Sequence, residues 1–329
     1  MIISQTPLRI SFAGGGTDVA AYYREHGGFV VSTAIDKFAY VVVKERFDDM
    51  IYLNYMRKEI VESVDEIQHE LIREAMRMTG VEKGVEVTLL SDIPSSGSGL
   101  GSSSSFTVGL LNALHMYQGS QVTAETLARQ ACEIEIDRLG KPIGKQDQYI
   151  AAYGGLRAFT FAPDGSVDVR RLDISPALMR QLDDRLRLYF TGQTRRADAI
   201  LAEQTRNSVQ RAAELTRIKE LAASLEGALE RGEIDSLGEI LHTNWVLKRQ
   251  LASGITNPDI ECMYDAARAG GASGGKICGA GGGGFLLVYF PPQSYDSLHG
   301  AMQAYREMPF RLERDGSKLI FNYRRDIMK

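Results

Sequence analysis

No run of about eighteen apolar residues occurs in the sequence, so no membrane-spanning helix is expected. Residues 1–10 carry polar side chains and Arg9 and lack the apolar core that marks a secretion signal. Cysteine is scarce. Cys132, Cys262 and Cys278 are too few and too scattered for a disulfide framework, and no Cys-x-x-Cys occurs. The five histidines stand far apart, which speaks against a histidine-based metal site. An excess of positive charge is missing too: the net charge is −4, with Lys and Arg spread along the chain, so a basic nucleic-acid-binding face is not expected. Together these absences lead us to expect a cytoplasmic protein with small-molecule partners, binding neither nucleic acid nor membrane.

What is present is ordinary globular material. The 329 residues are 44% hydrophobic and 24% charged, enough for one large domain or two ordinary ones around a buried core. Residues 2–12 read as a strand, and the Val- and Tyr-rich runs at 29–35 and 38–44 as two more. Helical spacing marks 66–79, and 85–90 alternates as a strand. After a glycine/serine loop at 94–105, Phe106, Leu110 and Leu114 recur at helical spacing. Residues 123–139 read as a helix, and 140–155 as a turn-rich connection. An acidic, helix-like stretch precedes an apolar strand at 186–191; helices are expected over 197–232 and 234–251, and a short buried strand at 285–290. There are no repeats and no long linker. The pattern predicts two α/β lobes meeting near residue 183.

Three glycine-rich stretches carry most of the chemical information. In Pro94-Ser95-Ser96-Gly97-Ser98-Gly99-Leu100-Gly101-Ser102-Ser103-Ser104-Ser105 the glycines permit positive φ, so several N–H groups can converge on phosphate oxygens. The apolar helix that follows points the positive end of its dipole at the same place. The serine hydroxyls could cap that helix, bind phosphate or ligate Mg²⁺. A flexible linker ending in an ordinary cap is the competing reading, but a linker is not normally followed at once by a strongly apolar helix. Residues 270–284 hold nine glycines in fifteen positions. Gly270 to Lys276 has P-loop spacing, yet Ile277 stands where a hydroxyl is needed. Gly279-x-Gly281-x-x-Gly284 has dinucleotide-fingerprint spacing, yet a strand pattern follows where that fingerprint demands a helix. Neither a Walker-type nor a Rossmann-type site is therefore predicted. These glycines mark either a tight turn or a backbone that approaches a ligand. Gly14-Gly15-Gly16-Thr17-Asp18, the remaining stretch, is open between a capped turn and a ligand contact.

The three stretches, in this order and with these gaps, resemble the GHMP kinases. Pro94 to Ser103 is similar to that family's ATP loop, Pro7 to Asp18 to the substrate motif of its sugar kinases, and Gly279 to Gly284 to its third glycine motif. A fourth match, Glu135-x-x-x-x-Gly140-x-Pro142-x-Gly144-x-x-Asp147-Gln148, is similar to the segment that supplies a metal-side Glu and a catalytic Asp. Gly-Gly-Gly precedes Thr17-Asp18 where galactokinases have Gly-Glu-His. Together with Gly144 to Tyr149 and Thr191 to Arg195, this looks most like the branch acting on D-glycero-D-manno-heptose 7-phosphate.

The resemblance implies an α/β (α+β) two-lobe fold, with a ribosomal-protein-S5-domain-2-like ATP-binding lobe over 1–183 and a ferredoxin-like C-terminal lobe over 184–329. It implies ATP and Mg²⁺ as cofactors and a small sugar phosphate as acceptor, with homo-oligomer formation left open. Pro94, Gly97, Ser98, Gly99, Leu100, Gly101, Ser102, Ser103 and Ser104 would cradle ATP, and Ser103 and Glu135 would hold the metal. Asp147 would take or orient the proton of the acceptor hydroxyl, with Arg9 beside it offsetting charge on the transferring group. Gly15, Gly16, Thr17 and Asp18 would meet the sugar, as would Gly281, Gly282 and Gly283. Lys145, Thr194 and Arg195 are the candidates for a phosphate already on the substrate, and Lys145 could instead hydrogen-bond Asp147.

Overall fold

Strand alternation sets the first element. In the computed structural model, which describes residues 1–94, 97–194 and 197–323, β1 runs over Ile2–Ala13. Its Leu8, Ile10 and Phe12 point into a core shared with Leu186, Leu188 and Leu287, so Arg9 and Ser11 face the opposite side, where a cleft opens. The two apolar runs expected at 29–35 and 38–44 form one long strand, β2 (Gly28–Glu45). Its register against β1 shifts between Pro7 and Leu8, where proline has no N–H to give the ladder. This irregularity lets β2 bend between two sets of neighbours without ending.

β3 (Ile51–Asn54), β4 (Lys58–Val61), β5 (Val85–Ser91), β6 (Leu156–Phe161) and β7 (Val167–Arg171) complete most of the first sheet. Residues 39–45 of β2 pair with β5 and residues 28–33 with β6. The second sheet has β8 (Leu186–Phe190), β9 (Gly274–Ile277), β10 (Phe285–Tyr289) and β11 (Arg306–Met308) in the antiparallel order β11-β8-β10-β9. A last strand, β12 (Lys318–Asn322), returns to pair with β1 and closes the order β12-β1-β2-β5-β3-β4. Residues 318–322 thus pair with the sheet built by the first half.

Helices α1 (Ala20–His26) and α2 (Glu70–Thr79) precede α3 (Ser102–Tyr117), which lies on β1 and β2 and is buried along most of its length. The helix expected over 123–139 is α4 (Ala124–Cys132), capped by Thr123 Oγ1, continued by a wider π-helical turn over Glu133–Arg138. The turn-rich connection expected at 140–155 contains a further helix, α5 (Gln146–Tyr153). In the C-terminal half, α6 (Pro176–Arg185) leads into β8, and the long helical stretch expected at 197–232 divides into α7 (Ala197–Asn207) and α8 (Ala212–Arg231). α9 (Ser236–Lys248), α10 (Pro258–Ala269) and α11 (Tyr295–Met302) complete the lobe. The result is a two-lobe α/β fold whose lobes share a core across β1, β8 and β10.

Candidate active site

The loop before α3 is shaped by three glycines with positive φ, Gly97 (73°), Gly99 (73°) and Gly101 (77°), which turn successive N–H groups to one side. Gly101 is the left-handed cap of α3, leaving the first N–H groups of that helix open toward the cleft. Ser98 Oγ lies 3.1 Å from Ser102 Oγ and accepts from Leu100 N–H, so the two serines brace the loop from inside. Leu100 is buried in the shared core, and its carbonyl accepts from Arg9 N–H at 3.0 Å. Only its backbone can serve a ligand. Pro94 is exposed and marks the loop's outer end.

The third glycine motif explains how this loop is held. A Cβ on Gly99 would sit 2.5 Å from the Cys278 carbonyl oxygen, one on Gly279 would sit 2.6 Å from Gly99 Cα, and one on Gly284 would overlap the Ser98 carbonyl. The two backbones lie against each other because neither has side chains there. Gly281 and Gly282 pack on Ile255, whose carbonyl accepts from Gly282 N–H at 2.8 Å, and Gly283 packs on Gln193. These three glycines stand behind the cleft wall, a supporting place where a sugar contact was expected.

Across from the loop, at the start of α5, Asp147 accepts two hydrogen bonds from Arg9: Nε to Oδ1 and Nη2 to Oδ2, each 2.7 Å. The third arm of Arg9, Nη1, donates to the Gly99 carbonyl at 2.6 Å. One guanidinium therefore ties the carboxylate to the phosphate-type loop. Burial works against the Arg9 charge, but the attraction and hydrogen bonds of Asp147, joined by Cys278 and Asp18, together raise the guanidinium above its ordinary value. Arg9 is nearly buried, whereas Asp147 keeps a quarter of its side chain open to the cleft.

Asp18 is buried and accepts from Gly16 N–H (3.0 Å), Gln146 N–H (3.1 Å) and Gln146 Nε2 (3.3 Å). It thereby joins the first glycine turn to the start of α5, one residue from Asp147. Burial, with repulsion from Asp147 adding to it, pushes the Asp18 carboxyl up against the pull of those donors. Gly144 is required for the approach, since a Cβ there would overlap Asp18 Oδ2. Gly15 and Gly16 line the cleft beside it.

Glu135, on the π-helical turn, is wholly buried and accepts from Ser103 Oγ (3.0 Å), Ser104 Oγ (2.7 Å), Thr107 Oγ1 (3.1 Å) and Gln148 Nε2. Burial raises its carboxyl despite those donors. A π-turn rotates the residues after it relative to an α-helix, which here carries Glu135 under the start of α3.

Some expected contacts fall elsewhere. Thr17 is buried, its hydroxyl bridging Gly14 O (2.8 Å) and Phe29 N–H (3.0 Å), so it shapes the turn and does not reach the cleft. Lys145 Nζ donates to the Gly165 carbonyl at 2.6 Å and sits over the Tyr23 ring, directed away from Asp147. Thr194 is exposed and outside the cleft lining, and Arg195 lies outside the described residues.

The cleft has a volume of about 870 Å³ and two unlike ends. Beyond the loop it is lined by Tyr55, His69, Leu89, Ile93 and Phe106, with the Tyr55 and His69 rings meeting edge to face at 4.6 Å. No local pattern distinguishes these residues from ordinary core, so sequence reasoning missed them. The other end holds Arg9, Ser11, Asp18, Gln146 and Asp147, with Gln204 of α7 and two buried lysines, Lys248 and Lys276. A helix start with free N–H groups beside a cation-clamped carboxylate suits one operation, the transfer of a phosphoryl group to a hydroxyl placed between them. That geometry fits a phosphotransferase with an alcohol acceptor.

Relatives give that class its family. Residues 60–155 match the GHMP kinases N-terminal domain and residues 225–308 the GHMP kinases C-terminal domain. The chain is 32% identical over 317 residues to a Campylobacter jejuni protein named D-glycero-alpha-D-manno-heptose 7-phosphate kinase, covering 92% of this chain and 93% of that one. A solved structure titled D-glycero-D-manno-heptose 1-phosphate kinase, from Bacteroides thetaiotaomicron, superposes with a TM-score of 0.82 at 27% identity, covering 98% of this chain and 100% of that one. Lactococcus lactis galactokinase shares the fold, with a TM-score of 0.75 at 17% identity over 96% of this chain and 94% of that one. The chain belongs to the GHMP kinase family.

Proposed function

We propose that this kinase transfers the γ-phosphate of ATP to the anomeric hydroxyl of D-glycero-D-manno-heptose 7-phosphate. The product is the 1,7-bisphosphate, made in the cytoplasm and destined for nucleotide-activated heptose and surface polysaccharide. The observation that carries the reading lies at the polar end of the cleft. Ser11 Oγ and Gln146 Oε1 are buried polar atoms with no hydrogen-bond partner among the described residues, and both side chains line the cleft next to Asp18. Buried polar atoms are rarely left unpaired, and an acceptor rich in hydroxyls would satisfy both. The Campylobacter relative's named substrate, a heptose 7-phosphate, agrees with that chemistry.

In this reading the apolar end around Tyr55 and Phe106 takes the adenine, and the N–H groups of Gly97–Ser103 take the phosphates. Arg9 fixes both oxygens of Asp147, whose open edge accepts the hydrogen bond of the anomeric hydroxyl and then its proton as the new O–P bond forms. Asp18 keeps lone pairs free for a sugar hydroxyl while its other bonds hold Gln146 in place.

The donor set around Glu135 bears on the metal. Among the described residues no group of three His, Cys, Asp or Glu could hold an ion, while Ser103 Oγ and Glu135 Oε1 lie together at the start of α3. Ser103 lines the cleft and could offer its hydroxyl oxygen to Mg²⁺ bound chiefly by phosphate oxygens and water, whereas Glu135, wholly buried with four donors on its carboxylate, would reach the ion only by giving up its bond from Ser103. When bound, the ion would neutralise charge on the β- and γ-phosphates. Ser103→Ala should raise the Mg²⁺ concentration for half-maximal rate by roughly tenfold. A magnesium titration giving an unchanged midpoint would assign this hydroxyl to bracing Glu135 alone.

The whole reading is tested by assaying ADP release with free hexoses, fucose, heptose and heptose 7-phosphate, and by locating the new phosphate through ³¹P NMR. Preference for heptose 7-phosphate with a new anomeric phosphate is expected. Preference for a free hexose, or phosphate at another carbon, would overturn it.

A further inference from the structure

The cleft floor holds two lysines for which the mechanism above has no use. Lys248 ends α9 and Lys276 lies in β9; both line the cleft, yet they are only 7% and 2% exposed. Lys248 Nζ donates to the carbonyls of Gly279 and Ile277, the latter at 3.3 Å, and Lys276 Nζ to that of Phe12 at 3.2 Å. Among the described residues their hydrogen bonds go to carbonyls alone, and no carboxylate lies within ion-pair distance of either; Asp147 and Asp18 act on Lys248 only from farther off. An ammonium has three N–H groups, so each lysine has donors left over. Arg9, their cationic neighbour, is matched by Asp147, and its charge is already balanced. Buried positive charge without a directly paired anion is costly, and the two lysines repel each other. The group that would settle both is an anion entering from the cleft.

We propose that Lys248 and Lys276 form a phosphate-receiving floor, donating to the oxygens of a phosphate group at the acceptor end of the cleft. The inference deepens the reading above and rests on it. A kinase whose acceptor is already phosphorylated handles two phosphates, the one in transfer and the acceptor's own, and either meets the same pair of ammonium groups. Of the two sequence candidates that the structure describes, Lys145 points away to Gly165 and Thr194 lies outside the cleft lining, so neither takes this task.

The charge state of the pair gives the proposal a distinctive signature. Burial holds Lys248 down to about 8 and presses Lys276 well below the ordinary lysine range. The groups acting on Lys248 are Cys278, Arg9, Asp147 and Asp18, with Lys276 alongside. An arriving dianion favours the protonated lysines, so binding takes up protons. The Lys248 contribution to affinity is full below its value and is lost as pH rises through about 8.

Sodium sulfate, a tetrahedral dianion throughout that range, is the probe, titrated by calorimetry at constant ionic strength in buffers of different ionisation heat. The wild type should bind it with proton uptake and lose affinity above the Lys248 midpoint. Lys248→Met and Lys276→Met should each weaken binding by about ten- to a hundredfold, the loss expected for a charge-assisted hydrogen bond, while Lys248→Arg retains most of it. If the lysines only hold carbonyls, the Met variants will unfold at lower temperature with sulfate affinity unchanged within about twofold, and the proposal is wrong. Should the Met variants not fold, a wild-type crystal soaked in sulfate still decides, because an anion seated away from both ammonium groups overturns the idea.

Kinetics with a sugar and with its phosphate then separate the two sources. A rise in KM confined to the phosphorylated acceptor in Lys248→Met assigns the floor to the acceptor's own phosphate. A fall in kcat common to both assigns it to the group in transfer, and unchanged kinetics on both would refute the proposal. A wild type that accepts only unphosphorylated sugars would refute the heptose 7-phosphate reading while leaving the sulfate result intact.

Discussion

Asp147→Asn is expected to lower kcat by about 10²–10⁴-fold, the range of a positioned general base, with ATP affinity held within about threefold. The shape of the change is close to isosteric, and Asn Oδ1 can still accept from Arg9 Nε, so α5 and the loop should keep their places. What is lost is the proton acceptor and the charge that balances a nearly buried guanidinium. A single-turnover measurement with saturating ATP separates chemistry from product release. A rate within about tenfold of wild type would show that Asp147 orients the hydroxyl and does not take its proton. A parallel collapse of nucleotide affinity would place its importance in holding Arg9 against Gly99.

The second large effect is expected at Gly99. Alanine there meets two obstacles: a φ of 73°, which disfavours any Cβ, and a carbonyl oxygen of Cys278 at 2.5 Å from where that Cβ would lie. Backbone strain of about 1–3 kcal/mol, released by moving the loop off Cys278 and Gly279, should weaken ATP binding by roughly ten- to a hundredfold. The same shift displaces the Gly99 carbonyl from Arg9 Nη1, so kcat should fall as well. Gly300→Ala, in α11 with open space around it, is the matched control and should be neutral or slightly stabilising. Binding of a non-hydrolysable ATP analogue, with a thermal melt of each variant, reads the outcome. An unchanged affinity in Gly99→Ala would mean that the triphosphate does not bind on this loop.

The sequence pattern found the elements whose signal is local. β1, β5 and the strand before Phe290 show alternation or a short apolar run, and α3 shows helical spacing after a glycine/serine loop. It missed α5, because Pro142 and Gly144 just before it read as turn and Gln146–Tyr153 lacks an amphipathic stripe. Gln148, Tyr149, Ile150, Ala151 and Ala152 are all buried, so no polar face alternates with an apolar one. It missed β9 for the opposite reason. Gly274 and Gly275 have no strand propensity, and they pair with β10 because the Gly238 and Leu287 carbonyls lie where side chains would have to be.

The site divides in the same way. Gly97, Gly99 and Gly101 were legible because backbone geometry is written in the residue itself, and Asp147 and Glu135 were singled out through a resembling motif. The sequence by itself determined where this chain can turn, which strands have a core face, and which loop can surround phosphate, since those depend on neighbours a few residues away. Only the tertiary structure decided which charges balance one another. Arg9 meets Asp147 across 138 positions, whereas Lys248 and Lys276 reach the same cleft from other elements without a carboxylate paired to them. A buried lysine and a solvated one are the same letter; the difference lies in the dielectric and the partners around the ammonium, which exist only once the chain has folded.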